Sequence, residues 1–107
     1  MKQLLVMDVL PDVAAELERL IREADETALA AQIPSLRLVD RCRCGDDFCA
    51  MFYATKPPAG AWGAGHRNVA LQPHHGILVL DVVNERITAV EILFRADIRD
   101  QLLRLLP

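Results

Sequence analysis

The fold is organised around the segment Arg41-Cys42-Arg43-Cys44-Gly45-Asp46-Asp47-Phe48-Cys49. It holds all three cysteines of the chain, and its glycine followed by two aspartates is typical of a tight turn. Apolar and polar residues alternate on both sides of this turn, which is the period of a β-strand. The segment therefore predicts a β-hairpin that turns at Gly45-Asp46, with strands over Ser35–Arg43 and Phe48–Ala54.

The register of this hairpin predicts where the cysteines lie. A turn at Gly45-Asp46 makes Cys42 the cross-strand partner of Cys49, and because side chains alternate along a strand, all three cysteines share one face. An odd loop length would break this arrangement. The same face also carries Leu36, Leu38 and Met51, which is the composition of a core.

This face allows two main interpretations of the cysteines. Free cysteine is among the most buried residue types, so we favour core positions for Cys42, Cys44 and Cys49. The alternative is a zinc site, because zinc is a borderline-soft ion that takes thiolates and prefers four ligands. The fourth ligand would be a histidine, with His66 as first choice, or a nearby carboxylate. The other candidates are His74, His75, Asp40 and Asp47.

Two further uses of the thiols are redox chemistry and nucleophilic catalysis. Cross-strand Cys42 and Cys49 would have Cα atoms roughly 5.5 Å apart, which is compatible with a reversible disulfide. Catalysis would need Cys49 as a low-pKa thiol beside a histidine. The chain lacks a serine-nucleophile, phosphate-loop or dinucleotide-binding motif, and we therefore expect a non-enzymatic protein.

The segment before the hairpin predicts a helix. Pro11 suits a first helical turn, and apolar residues then recur at steps of three and four as far as Ala31. Capping residues at Asp25–Thr27 predict a break, and Pro34 ends the helix. Residues 1–10 are apolar without a clear period, which leaves helix and strand open.

The segment after the hairpin begins with a loop over residues 56–66 and ends with a second hairpin and a helix over Asp97–Leu106. The second hairpin joins Ile77–Val83 to Arg86–Phe94 through a turn at Asn84-Glu85. A regular ladder from this turn puts Asp81 and Glu91 on opposite faces, which argues against an acid–base pair. Both faces are otherwise largely apolar and need cover from the loop or from a second subunit, so a homodimer is one hypothesis.

Length and composition restrict the class of protein. The 107 residues suit a single domain over 1–107, and 52% hydrophobic residues exclude a disordered chain. The chain has a net charge of −3, and its basic residues are scattered and form no run. Both observations argue against a nucleic-acid partner. No apolar stretch is long enough for a membrane span, and Asp8 interrupts the apolar N-terminal residues before they resemble a complete signal peptide, so we expect a cytoplasmic protein. An odd number of cysteines argues against a disulfide framework. The predicted fold is α+β, with a mainly antiparallel sheet of two β-hairpins and an N-terminal and a C-terminal helix.

The cysteine segment, followed by Met51-Phe52-Tyr53, resembles an uncharacterised family of small bacterial proteins with a Cys-x-Cys-Gly hairpin turn. In that family a later apolar hairpin carries patterns similar to Gly76-Ile77-Leu78-Val79-Leu80-Asp81 and Val90-Glu91-Ile92-Leu93. The resemblance covers about the C-terminal two thirds of the chain. It implies a bacterial source and supports the hairpins, but it carries over no catalytic role because the function of the family is unknown.

From these patterns we expect a small cytoplasmic bacterial protein that acts through protein contacts or self-association. The alternative is a small zinc-binding protein with a structural or regulatory site at Cys42, Cys44, Cys49 and His66. Zinc is the one cofactor that the sequence raises, and neither nucleic acid nor a membrane is an expected partner.

Overall fold

The computed structural model describes residues 3–107 and has an α+β architecture with antiparallel sheets, which confirms the predicted fold class. A short 3-10 helix, Ile33–Ser35, follows the first three helices. The helices are α1 Val6–Val9, α2 Pro11–Glu23, α3 Thr27–Ala30 and α4 Ala96–Leu105. The strands are β1 Leu4–Leu5, β2 Arg37–Leu38, β3 Asp40–Arg41, β4 Phe52–Tyr53, β5 His66–Ala70, β6 Ile77–Val83 and β7 Arg86–Leu93.

The N-terminal helix forms where the sequence predicts it. Pro11 is the first residue of α2, where its missing N–H leaves no helical hydrogen bond unmade. Asp25 has a φ of 60°, and this left-handed residue separates α2 from α3, as the capping residues predicted. The undecided segment before Pro11 contains both the strand β1 and the short helix α1.

The main sheet has five strands in the order β3-β4-β7-β6-β5, and β1 pairs with β2 in a separate two-stranded sheet. One face of the main sheet packs against the helices in a continuous core. Side chains from each part of this core are Leu17, Leu20, Phe52, Leu80, Val90, Ile92, Ile98 and Leu102. The helices thus pack on one face, and on the opposite face the loop over residues 56–66 places the Trp62 ring 6.4 Å from that of Tyr53.

The single strand predicted over Ser35–Arg43 is wrong. Ser35 ends the 3-10 helix, and the rest divides into β2 and β3, which belong to different sheets. The division occurs at Val39, whose N–H already donates to Tyr53 O at 2.9 Å. The chain changes direction here because β2 pairs with β1 and β3 pairs with β4, which lie in different sheets. Side-chain alternation does not reveal this change.

The first hairpin has a longer loop than predicted. Asp40 pairs with Tyr53, and the N–H of Cys42 donates to Met51 O at 2.8 Å. The partner of Cys42 is therefore Met51 and not Cys49, which corrects the predicted register. The shift is two residues, and because side chains alternate with a period of two, it leaves Cys42 and Met51 on the same face, as predicted.

The second hairpin turns where predicted, but its ladder is irregular. Asn84 and Glu85 have φ values of 50° and 65°, as a two-residue type I′ turn requires. The register then shifts between Asp81 and Val82, so that Asp81 pairs with Ala89. This β-bulge reverses the faces beyond it, and the prediction that Asp81 and Glu91 lie on opposite faces is wrong.

Across residues 3–107, none of the helices combines the length and apolar character that crossing a membrane would require.

Candidate metal site

The three cysteines converge on one point beside the first hairpin. The Sγ atoms of Cys42, Cys44 and Cys49 all lie within 4.8 Å of one another, and all three thiols are free. Three thiols that belong to one short loop can therefore contact a common atom after small side-chain rotations.

Backbone hydrogen bonds hold the loop that carries these thiols. Cys42 is anchored at the end of β3 through its N–H bond to Met51. The N–H of Cys49 donates to Asp46 O at 3.3 Å, and Gly45 has a φ of 83°, which few other residues adopt. The loop thus turns back on itself through glycine and returns Cys49 to the side of Cys42.

A cavity of about 30 Å³ lies between this loop and α4. It has room for about one water molecule or one ion. All three cysteines line it, together with the charged residues Arg41, Asp46 and Arg99 and, from α4, the apolar side chains Leu102 and Leu103. The lining of the cavity thus includes three cysteines, one acidic residue and two arginines.

The environments of the thiols differ. The pKa of Cys44 is lowered, mainly because the Asp46 amide hydrogen-bonds to its sulfur, with a further contribution from Cys42. Burial raises the pKa of Cys49 to about 11. Cys44 is thus the residue that most readily supplies a thiolate, whereas Cys49 is the opposite of the activated thiol that a Cys49–histidine nucleophile would need.

The cysteines do not belong to the hydrophobic core. Cys44 is exposed, and Cys42 and Cys49 are only half-buried. The favoured interpretation of them as core residues is therefore wrong. The longer loop is the reason, because it carries Cys44 past the strand ends and leaves the thiols at the rim between loop and helix.

The structure does not bring His66 to the cysteines. His66 begins β5, at the opposite edge of the sheet from β3, and its Nε2 lies 2.8 Å from Asp81 Oδ1. Neither His74 nor His75 joins the group of converging ligand atoms within the described chain. Asp40 is engaged elsewhere: its Oδ1 accepts from Arg43 at 2.9 Å and from the Arg41 N–H at 2.8 Å. The histidine and aspartate ligands proposed from the sequence are thus not gathered at the thiols.

Asp46 is the carboxylate that lines the cavity, and sequence reasoning did not select it. The predicted turn placed Asp46 at the tip of the hairpin, where its side chain would point to solvent. The available signal was the sequence Cys44-Gly45-Asp46, because a turn at the glycine that folds back over Cys44 also brings Asp46 close to it.

A second polar cluster lies on the face of the sheet that the helices leave uncovered. Asp81 is almost fully buried, and its Oδ1 accepts a hydrogen bond from Asn68 at 2.7 Å in addition to its contact with His66. The loop over residues 56–66 returns Trp62 to this face, with its ring 6.5 Å from that of His66. Burial and the neighbouring Asp81 raise the pKa of Glu91 to about 7.

Comparison with known proteins supplies no family for this chain. It matches no protein-family model, and searches against curated proteins and solved structures give no match.

Proposed function

We propose that this chain is a small zinc-binding protein whose site is formed by Cys42, Cys44 and Cys49. The convergence of the three sulfur atoms within 4.8 Å carries the proposal. In a tetrahedral zinc site with bonds of about 2.3 Å, neighbouring sulfurs are roughly 3.8 Å apart. A contraction of about 1 Å would therefore bring these thiols to bonding distance.

Electrostatics also support a cation at this position. Three thiolates and one Zn²⁺ carry a net charge of −1, and Arg41 and Arg99 line the same cavity. The positive charges of these two residues would offset the excess negative charge of the site, which an apolar rim would leave uncompensated. The fourth position would be filled by water or by the carboxylate of Asp46.

A site of this kind has a structural or regulatory role. Its ligands are spread along a loop of the first hairpin, so the ion would link both strands of that hairpin to each other. Binding to the folded chain at a free zinc concentration of 100 times Kd would stabilise it by about 2.7 kcal/mol. A reducing compartment such as the cytoplasm would keep the three thiols available for the ion.

The test is a metal titration of the reduced protein. Cobalt(II) is added first, because thiolate ligation gives intense near-ultraviolet charge-transfer bands, and zinc then displaces it in a chelator competition. We expect one ion per chain, and at least about tenfold weaker binding for Cys42→Ser, Cys44→Ser and Cys49→Ser. The variant His66→Ala is the matched control and should bind as tightly as the wild type.

Two results would contradict the proposal. One is an absence of bound metal at equimolar zinc, and the other is undiminished affinity in the three serine variants. Circular dichroism of each metal-free variant separates the loss of a ligand from the loss of the fold. Asp46→Asn then distinguishes the two candidates for the fourth position. The variant should bind zinc more weakly if the Asp46 carboxylate is the ligand, and as tightly as the wild type if the ligand is water.

A second candidate function is self-association, which an exposed aromatic patch favours. The patch consists of Phe48, Phe94 and Ile77, which are 40%, 61% and 44% exposed. The rings of Phe48 and Phe94 stack at 5.4 Å, and the N–H of Phe94 donates to Phe48 O at 2.9 Å. Large apolar side chains grouped in this way often mark a contact surface.

Sedimentation equilibrium tests self-association. Phe94 has a φ of 61°, so Phe94→Asn is a suitable variant because asparagine tolerates this conformation. We expect the wild type to dimerise and this variant to shift towards monomer, while Met7→Ser, at another exposed apolar position, should behave as the wild type. A wild type that stays monomeric at about 1 mM would contradict this function. A dimer with a dissociation constant of that size has a free energy of association of only about 4 kcal/mol, which is too weak for a specific dimer.

A further inference from the structure

A larger cavity, of about 540 Å³, lies at the opposite end of β7 from the cysteines. Its walls come from the 3-10 helix and β2 on one side and from the β6–β7 turn on the other. Cavities that hold small organic ligands typically measure roughly 300–1,000 Å³, so this groove has the size of a ligand site. The proposed zinc site does not involve it.

The groove exists because β4 covers only part of the edge of β7. The last backbone bond from the β4 side is that of the Ala54 N–H to Thr88 O, at 2.9 Å. Beyond it, the Gln32 side chain takes the place of a strand: the Ile87 N–H donates to Gln32 Oε1 at 2.9 Å, and Gln32 Nε2 donates to Glu85 O at 2.7 Å. These bonds link the two walls, so the groove is formed before any ligand binds.

The lining combines an apolar base with a polar rim. Leu36, Ala54 and Ile87 are buried and supply the base. The rim contains hydroxyl and guanidinium groups. They belong to Ser35, Thr55, Arg37 and Arg86. An apolar interior with a few polar groups at its edge is the usual character of a small-molecule site.

The charge at this rim is positive, although the chain as a whole is negative. The acidic side chain in the lining, Glu85, bonds to Arg67, whose Nη2 lies 2.7 Å from Glu85 Oε2 and 2.9 Å from Glu26 Oε1. The two carboxylates share one guanidinium and keep one net negative charge, which is smaller than the two positive charges of Arg37 and Arg86. Within residues 3–107, the ion pairs engage neither Arg37 nor Arg86. Two guanidinium groups therefore remain available, and their planar donors match the geometry of a carboxylate.

We propose that this groove binds a small organic anion, whose apolar body rests on Leu36 and Ile87 and whose carboxylate contacts Arg37 and Arg86. The apolar base selects against simple inorganic ions. The guanidinium pair selects against neutral molecules of the same shape.

An NMR titration of the reduced, metal-free protein tests this site with benzoate as the probe and benzamide as its neutral isostere. We expect saturable shifts of the Ile87 and Thr88 amides and of the Gln32 side-chain amide. Benzamide should bind at least about tenfold more weakly. Arg37→Gln and Arg86→Gln should each weaken benzoate binding about tenfold, whereas Arg104→Gln, an exposed arginine on α4, should not.

Several outcomes would overturn the proposal. Equal binding of benzoate and benzamide would remove the role of the arginines, and a loss in Arg104→Gln equal to that in Arg37→Gln would show a general charge effect. Inorganic phosphate that binds as tightly as benzoate would show that the apolar base contributes nothing. The comparison of probes on the wild-type chain does not depend on any variant folding, and Cys44→Ser protein should give the same result because the site is independent of metal.

Discussion

Asp81 pairs with Ala89, one residue beyond the partner that a regular ladder from the Asn84-Glu85 turn would give it. The extra residue is Thr88, whose Oγ1 donates to Asp81 O at 3.0 Å and so satisfies a carbonyl at the bulge. The bulge turns Asp81 and Glu91 onto the same face of neighbouring strands. It also lies at the end of β7 that lines the cavity of about 540 Å³.

The first prediction concerns the pH dependence that this pair creates. The folded chain holds the pKa of Glu91 near 7, above its ordinary value of 4.5, so between these values the folded state binds more protons than the unfolded state. Stability is therefore expected to fall as the pH rises from about 4.5 to 7. We expect Glu91→Gln to remove this dependence and to raise the free energy of unfolding at pH 8 by roughly 1–2 kcal/mol, because the neutral amide is not repelled by Asp81. The gain is kept this small because the carboxylate is partly exposed and solvent screens the repulsion.

Urea unfolding at pH 5 and at pH 8 measures this effect. Asp100→Asn, at an exposed carboxylate of α4, is the control and should leave the pH dependence unchanged. An equal pH dependence in the wild type and in Glu91→Gln would refute the prediction.

The second prediction is an order of thiol reactivity. At pH 8 without metal, iodoacetamide should modify Cys44 fastest and Cys49 slowest, because the pKa of Cys44 is lowered and its side chain is exposed, whereas burial raises the pKa of Cys49. Mass spectrometry of the digested protein gives the three rates. A fastest reaction at Cys49 would contradict the prediction and would revive the nucleophile hypothesis.

The third prediction concerns Gln32, the residue that links the two walls of the groove. Gln32→Ala leaves the Ile87 N–H and the Glu85 carbonyl without their partner, and we expect a loss of about 1–2 kcal/mol. Urea unfolding measures the loss, and hydrogen exchange at the Ile87 amide should become faster. Gln101→Ala, in an exposed turn of α4, should cost less, and equal losses in both variants would be the contrary result.

The fourth prediction concerns Arg95, which is buried and bonded through both terminal nitrogens to Glu16, at 2.9 Å each. Arg95→Met leaves the half-buried Glu16 carboxylate without this partner, and we expect a loss of about 2–4 kcal/mol at pH 7. Arg95 also lowers the pKa values of Glu16 and Asp97 below their ordinary values of 4.5 and 3.8. The folded state thus binds fewer protons in this range, and the stability is fully present above these values and is lost as the pH falls.

The test is urea unfolding of the wild type and of Arg95→Met at pH 7 and at pH 3. The difference between the two proteins should shrink at pH 3. Arg22→Met, at the exposed pair with Glu18, is the control and should cost well under 1 kcal/mol. A difference that stays constant with pH would mean that packing of the Arg95 side chain accounts for the loss.

The helix α2, the strand β6 and the turn at Asn84-Glu85 were predictable because their signals are local. These signals are an apolar period of three and four residues, a proline at a helix start and a two-residue turn. Each of them depends only on residues that are a few positions apart in the chain. The grouping of the three cysteines was predicted from strand alternation, which explains it only in part. Alternation survives a register shift of two residues and keeps Cys42 on the predicted face, whereas the turn at Gly45 brings Cys44 and Cys49 to its side.

Other features depended on contacts between distant residues. The path of residues 35–43 follows from pairing with both β1 and β4, and the bulge at Thr88 follows from how β7 packs. Alternation alone does not encode either of them, and a single inserted residue reverses every face beyond it.

The α+β class, the start of α2 and the turn at Asn84-Glu85 were thus encoded in short segments of the chain, because each arises from interactions between near neighbours in sequence. Only the folded chain decided that the thiols lie at a rim beside Asp46 and not in the core, that His66 faces Asp81, and that Arg37 and Arg86 line one groove. These arrangements are set by strand order, loop length and packing, which join residues that the sequence keeps far apart.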